Sequence, residues 1–227
     1  MRFHAVIFDL DGTLLNTLDD IGDSVNQILT EYGLPTHPIG DYKHMIGNGA
    51  KNLMRRATCE KVAASELDAL VEKFRTLYAT RYDQKTVKYD GIDDVLDWLD
   101  QVKIPYAVFS NKPHDITNRI IRRFFPNRCF TAVYGQQIGI PIKPDPTQVM
   151  RILSQLRCSA QEAMFIGDSS VDMETAKNAG VFALGVLWGF RDRDELLAHG
   201  ADALAKTPAD IRRLIVVPDG LGENHKK

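Results

Sequence analysis

The chain opens on an apolar run, residues 3–8, that stops at two carboxylates, Asp9 and Asp11, and then at Gly12. The run predicts a strand and the Asp-Gly pair a turn. The period then changes. Within residues 14–32, Leu18, Ile21, Val25, Ile28 and Leu29 fall at helical spacing, and Gly33 is a stop signal. Residues 41–57 hold two short helical stretches separated by Ile46-Gly47-Asn48-Gly49. A third helix is predicted over 65–82, with Leu67, Leu70, Val71, Phe74 and Tyr78 on one face and Ser65 as N-cap. No strand is expected in this block.

From Gly91 onward short apolar runs alternate with helical patterns. Helices are predicted over 92–102, 113–125, 145–156, 170–179, 192–199 and from Pro208, and strands over 105–110, 130–134, 163–166, 181–186 and near Ala203. Such alternation predicts the α/β class: a doubly wound, Rossmann-like parallel sheet with right-handed crossovers. The expected organisation is a core from residues 1–14 and 86–227, interrupted by an inserted helical module at 15–85. The polar stretch 218–227 is expected to be loose.

Composition narrows the class without naming a reaction. With 227 residues, 44% apolar and 26% charged, the chain has the balance of an ordinary soluble protein. A net charge of -2 gives no electrostatic reason to expect nucleic acid or an anionic membrane as partner. Cys59, Cys129 and Cys158 are odd in number and scattered, which argues against a disulfide framework or a zinc site and fits a reducing compartment. No run approaches the roughly 18 apolar residues of a membrane span, and no signal-peptide pattern is read at the N-terminus. A cytoplasmic location is expected.

Candidate chemistry collects at strand ends, where open parallel sheets bind ligands. If Asp9 and Asp11 both keep strand geometry they point the same way, and like charges so placed need a cation or a shared proton. This leaves a Mg2+ site, a carboxylate nucleophile with an acid/base beside it, or an ordinary strand-to-turn exit. The second strand end delivers Ser110 and Asn111, with Lys112 next. Lys143 precedes a helix start, and Gly167-Asp168-Ser169-Ser170-Val171-Asp172 follows a further strand. Any one of these has a capping or turn explanation. Together, the acids, the hydroxyl and the Lys fit phosphoryl transfer through an aspartyl-phosphate. Cations and hydrogen-bond donors would compensate the phosphoryl charge, and a few hard oxygens would suffice for Mg2+.

The motifs D-L-D-G-T-L at 9–14, S-N-K at 110–112, K-P-D-P at 143–146 and G-D-S-S-V-D at 167–172, in this order, resemble those of the haloacid dehalogenase-like hydrolases, which are mostly phosphatases. The resemblance implies Asp9 as nucleophile, Asp11 as general acid/base, and Lys143 pairing with the nucleophile and the phosphoryl oxygens. It implies that Mg2+ is held by the Asp9 carboxylate, the Asp11 backbone carbonyl and Asp168, with Asp172 orienting a metal-bound water. Ser110, Asn111 and nearby backbone N–H groups would complete the phosphate cradle. An acid at position 11 suits phosphatases and mutases, because a leaving alkoxide needs a proton and a halide does not.

By the same resemblance the module at 15–85 is a cap over the site. Its segment 45–51 is similar to one in phosphoglycolate phosphatases, which implies substrate contacts from Gly47, Asn48, Gly49 and Lys51, with Arg55 a weaker candidate. The expected partner is a small phosphorylated metabolite, 2-phosphoglycolate being the best single match, with monomer and dimer both open. Pyrophosphatase, nucleotidase, sugar-phosphate phosphatase and β-phosphoglucomutase-like mutase are the enzymatic alternatives. A receiver-like phospho-acceptor module disagrees with so large an insert.

Overall fold

Strand β1 (Ala5–Phe8) reads Ala-Val-Ile-Phe, and all four residues are buried. A strand with no polar alternation needs cover on both faces, the situation inside a parallel sheet flanked by helices. In chain order the further strands are β2 (Leu15–Asn16), β3 (Val87–Lys88), β4 (Tyr106–Pro113), β5 (Ala132–Gln136), β6 (Ala163–Gly167), β7 (Phe182–Val186) and β8 (Ala203–Ala205). The computed structural model describes residues 3–215, so the polar stretch at 218–227 lies outside the described residues.

Six of these strands form one parallel sheet in the order β5-β4-β1-β6-β7-β8. The chain goes from β1 to β4 on one side, continues outward to β5, then returns to β6 on the other side. β1 is therefore the point where strand order reverses, and the crevice beyond its carboxyl end is the expected ligand position. The α/β expectation holds.

Successive β1 residues serve opposite cores, as strand geometry requires. Val6 and Phe8 pack with α4 (Ile92–Val102), α5 (His114–Phe124) and α9 (Pro208–Ile215) through Leu96, Ile120 and Ile211. Ala5 and Ile7 pack with α6 (Thr147–Leu156), α7 (Ser170–Ala179) and α8 (Arg193–Ala198) through Ile152, Met173 and Leu196. Full burial of a side chain the size of Val6, Ile7 or Phe8 is worth about 1.5–3 kcal/mol.

Between β2 and β3 lie α1 (Leu18–Glu31), a 3-10 turn (Ile39–His44), α2 (Gly49–Ala57) and α3 (Ala64–Tyr78). The predicted stripe of α1, from Leu18 to Leu29, is buried. The two ends of this block are tied together. Leu15 and Asn16 pair antiparallel with Lys88 and Val87. The buried Asp20 carboxylate accepts from Lys85 N, Thr86 N and Thr86 Oγ1 at 2.8–3.1 Å.

Three expectations need correction. Leu15–Asn16 is a strand rather than the start of the first helix, because its partners lie some seventy residues away and leave no trace in local period. Ser65 is not the N-cap of α3: the helix begins at Ala64 behind Ala63, with no side-chain cap, and Ser65 lies inside its first turn. β4 runs three residues past Ser110, to Pro113, which carries Lys112 along with the strand.

Gly167 ends β6 where a Cβ would stand 2.3 Å from Asp172 Cβ. Gly167→Ala is expected to lower stability by about 1–3 kcal/mol through overpacking, read as the midpoint of urea unfolding. An unchanged midpoint would mean that the Asp172 turn yields freely.

Candidate active site

Four chain segments converge beyond the carboxyl ends of β1, β4 and β6. Asp9 follows β1 directly, and its N–H donates to Ile166 O at 2.8 Å. Lys143 sits in the loop before α6, where the Asn111 amide holds its backbone from both sides: Asn111 Oδ1 accepts from Lys143 N at 2.8 Å, and Asn111 Nδ2 donates to Lys143 O at 3.2 Å. So placed, Lys143 Nζ lies 2.7 Å from Asp9 Oδ1 and 2.6 Å from Asp172 Oδ1, its side chain only 2% exposed.

Asp172 is fixed by local sequence. As the third residue of α7 it closes a capping box in which its Oδ2 accepts from Ser169 N at 3.0 Å and Ser169 Oγ at 2.6 Å. Both of its oxygens are thus committed. Asp168 accepts from Phe190 N at 2.7 Å and from Thr13 Oγ1 at 3.3 Å. Gly189 admits this contact, since a Cβ there would fall 2.3 Å from Asp168 Cβ.

Asp9, Asp168 and Asp172 offer carboxylate oxygens within 4.8 Å of one another, close enough to hold a metal ion. Burial, and then the neighbouring Asp172, push the Asp9 carboxyl well above its ordinary range, while Lys143 pulls it back. Burial followed by Asp172 pushes Asp168 up to about 7. Burial alone would lower the Lys143 ammonium, but Asp172 and Asp9 outweigh it and hold it above its usual value. A site with more buried carboxylates than cations favours protons or a further cation.

Asp11 stands apart from this cluster. β1 ends at Phe8, so strand alternation does not carry on to align Asp9 with Asp11. The Asp11 Oδ1 instead accepts from Thr17 Oγ1 at 2.7 Å and lies 3.0 Å from Lys112 Nζ. Its carboxylate is not a member of the three-acid group. Each of the two motif acids therefore has its own lysine.

The pocket above these groups is lined by Asp9, Asp11, Ser110, Asn111, Lys112 and Lys143 from the core. From the helical block come Gly47, Gly49 and the largely apolar faces of α1, α2 and α3. Asn111 Nδ2 donates to Gly47 O at 3.0 Å, and Arg191 Nη2 to Ile46 O at 2.9 Å, so two core side chains hold the glycine loop in place.

Other members of that loop are not brought to the pocket. Asn48 faces a separate groove beside Pro144 and Asn178. Lys51 is 62% exposed and pairs with Asp68 at 2.7 Å, because its place on α2 turns it toward α3 instead of the core. Arg55 is likewise turned away and pairs with Glu60 at 3.0 Å.

A family model described as haloacid dehalogenase-like hydrolase matches residues 6–186. The chain belongs to the haloacid dehalogenase-like hydrolases. It is similar to the phosphoglycolate phosphatase of Pseudomonas putida, 31% identical over 92% of this chain and 78% of that protein. A solved structure from Lactobacillus delbrueckii subsp. bulgaricus, provisionally named a phosphoglycolate phosphatase, superposes with a TM-score of 0.90 at 29% identity, covering 95% of this chain and 99% of that one. Another, a predicted phosphoglycolate phosphatase from Haemophilus somnus, gives 0.85 at 25% identity over 94% and 98%.

In this haloacid dehalogenase-like hydrolase several site groups carry no role in the sequence reading. Lys112 is noticed only as a neighbour of Asn111; its signal is the i, i+2 relation to Ser110 on a strand that continues past it. Tyr78 reads as one more apolar position of α3, yet its hydroxyl accepts from Lys112 Nζ at 2.8 Å. The backbone of Phe190, which serves Asp168, has no side-chain signature at all.

The raised Asp168 carboxyl has a consequence for stability. Its folded value, about 7, exceeds the unfolded one, about 3.9. Between these values the folded state binds more protons than the unfolded state, so this group's contribution to stability falls as pH rises from about 4 to 7. A divalent cation acts in the opposite sense by favouring the ionised acids. Millimolar Mg2+ is therefore expected to raise Tm more at pH 8 than at pH 5; equal shifts at both would exclude this carboxyl cluster as the coupled site.

Proposed function

We propose that this hydrolase is a Mg2+-dependent phosphatase that converts 2-phosphoglycolate to glycolate and phosphate through an aspartyl-phosphate on Asp9. The observation that carries the reading is the Lys143 ammonium held between Asp9 and Asp172, with Asp168 beside them, at the point where strand order reverses. The names of the relatives support the substrate, and the shape of the pocket agrees. Most of its polar groups come from the core, with Arg75 and Tyr78 added from α3, while Ile46, Leu53, Phe74 and Ile116 supply apolar walls that offer hydroxyl groups few partners.

In this reading an oxygen of the ionised Asp9 attacks phosphorus as the bond to the leaving oxygen breaks. Asp11 gives its proton to that oxygen, releasing the alcohol. Asp11 then takes a proton from the water that attacks the aspartyl-phosphate, and phosphate leaves with Asp9 restored. Lys143 steadies Asp9 before attack, and Asp172 keeps Lys143 in place. Asn111 sets the backbone that carries Lys143, and the Ser110 hydroxyl lies in the pocket wall near the phosphoryl position.

The donor set suits Mg2+, which takes hard oxygens and keeps several waters. Asp9 and Asp168 would hold it with the Asp11 backbone carbonyl, whereas Asp172, with Oδ1 taken by the Lys143 ammonium and Oδ2 by Ser169, would act from behind. When bound, the ion supplies positive charge to the phosphoryl oxygens.

Residues 15–85 act as a cap on the core formed by 1–14 and 86–227. Gly47 and Gly49 line the substrate space, while Asn48 and Lys51 serve the cap itself. A cytoplasmic setting accords with three unpaired cysteines and with the absence, among the described residues, of any helix long and apolar enough to cross a membrane.

Asp9→Asn is expected to reduce phosphate release by about 10^4-fold or more with the far-UV spectrum unchanged; retained turnover would remove Asp9 as nucleophile. Asp11→Asn should cost about 10^2–10^4-fold on an alkyl phosphate and clearly less on 4-nitrophenyl phosphate, whose leaving group needs no proton. An equal loss on both would count against the acid role. Across 2-phosphoglycolate, pyrophosphate, nucleoside monophosphates and hexose phosphates, a preference for the first by about tenfold in kcat/KM is expected. A flat profile would leave the chemistry and remove the substrate.

A further inference from the structure

The proposed chemistry employs Lys143 and leaves a second buried ammonium in the same pocket without a task. Lys112 Nζ lies 3.0 Å from Asp11 Oδ1, donates to the Tyr78 hydroxyl at 2.8 Å and sits 4.3 Å from the centre of the Tyr78 ring. Its side chain is 5% exposed. Burial would lower its affinity for the proton, but Asp11 and Tyr78 outweigh that, so the group stays charged. An ammonium has three N–H donors and two are engaged here, which leaves one for a ligand in the pocket that Lys112 lines.

A second cation lines the same pocket from the helical block. Arg75 lies one turn before Tyr78 on α3 and also lines the pocket. Its Nη1 pairs with Glu72 at 2.8 Å, while its Nε is buried and has no hydrogen-bond partner. A buried donor left unpaired calls for an acceptor. The charges divide unevenly: Lys143 is answered by two buried carboxylates, Lys112 by one, and Arg75 by a Glu72 side chain that is 70% exposed.

We propose that Lys112 and Arg75 form the subsite for the carboxylate of a short phosphorylated acid, so that the enzyme selects substrates anionic at both ends with carbon between. This rests on the phosphatase reading above. The third donor of Lys112 serves the ligand while the other two stay on Asp11 and Tyr78, and Asp11 also keeps the Thr17 hydroxyl on its Oδ1. The apolar walls admit methylene groups and disfavour sugars, whose hydroxyls would be buried unpaired.

The test compares 2-phosphoglycolate with ethyl phosphate, which keeps the phosphoryl end and lacks the carboxylate, in the presence of Mg2+. Wild type is expected to favour 2-phosphoglycolate by about tenfold or more in kcat/KM. Lys112→Met should bring the two substrates within about threefold, mainly by raising KM for the acid, and Lys112→Arg should retain more of the preference. Arg75→Met, at a half-exposed position, should lower the ratio by about threefold and decides the matter if Lys112→Met does not fold. A wild type without preference, or a ratio unmoved in Lys112→Met and Arg75→Met, overturns the subsite.

Calorimetry on Asp9→Asn gives a second readout, free of turnover. Tighter binding of 2-phosphoglycolate than of ethyl phosphate supports the subsite, and equal affinity overturns it. Failure of wild type to hydrolyse these esters or 4-nitrophenyl phosphate would instead sink the phosphatase reading, leaving the binding comparison to decide the subsite alone.

Discussion

One ammonium organises the centre of this molecule. Lys143 Nζ bridges Asp9, at the end of β1, and Asp172, in the first turn of α7, and it is almost fully buried. An unpaired charge at this depth would cost several kcal/mol, and removing one partner from such a group leaves the others uncompensated. The two segments and the loop carrying the lysine are therefore mutually dependent. With Asp168 included, three carboxylates face one cation. That surplus of negative charge, together with burial, pushes the Asp9 and Asp168 carboxyls above their ordinary range.

The backbone around this cluster is shaped to let it close. Gly167 and Gly189 stand where any side chain would collide with Asp172 or Asp168. Ser169 and Asp172 complete a reciprocal cap, so the acid that anchors Lys143 also starts α7. The Gly-Asp-Ser-Ser-Val-Asp string is thus simultaneously a strand end, a helix start and half of an ion pair. Asn111 plays a similar double part, fixing the Lys143 backbone with one amide and reaching Gly47 of the helical block with the same side chain.

The core was legible in the sequence because its signals are local. Ile92–Val102 and Ser170–Ala179 fall where period alone places them, and Asp9 and Asp168 directly follow the strands expected to deliver them. What escaped depends on distant partners. The two-residue strand Leu15–Asn16 is made by Val87 and Lys88, and no window around it contains them. Lys51 looks like a loop cation reaching for substrate until Asp68, on another helix, takes it. Tyr78 fits an apolar stripe so well that its hydroxyl goes unnoticed, although the oxygen is the part that meets Lys112.

The pairing of each motif acid with a separate lysine bears on how chemistry and selectivity are divided. Asp9 and Lys143 belong wholly to the sheet side, and their geometry is set by α7 and Asn111, with no side chain of the helical block touching Lys143 Nζ among the hydrogen bonds of the described residues. Asp11 and Lys112 sit at the boundary: Thr17, at the start of α1, holds the acid, and Tyr78, at the end of α3, holds the lysine. A change in the helical block can therefore alter what Lys112 meets while the Asp9 cluster keeps its own supports. The two acid–lysine pairs share no carboxylate, so the helical block reaches Asp11 and Lys112 directly and the Asp9–Lys143 pair only through the Asn111 contact with Gly47.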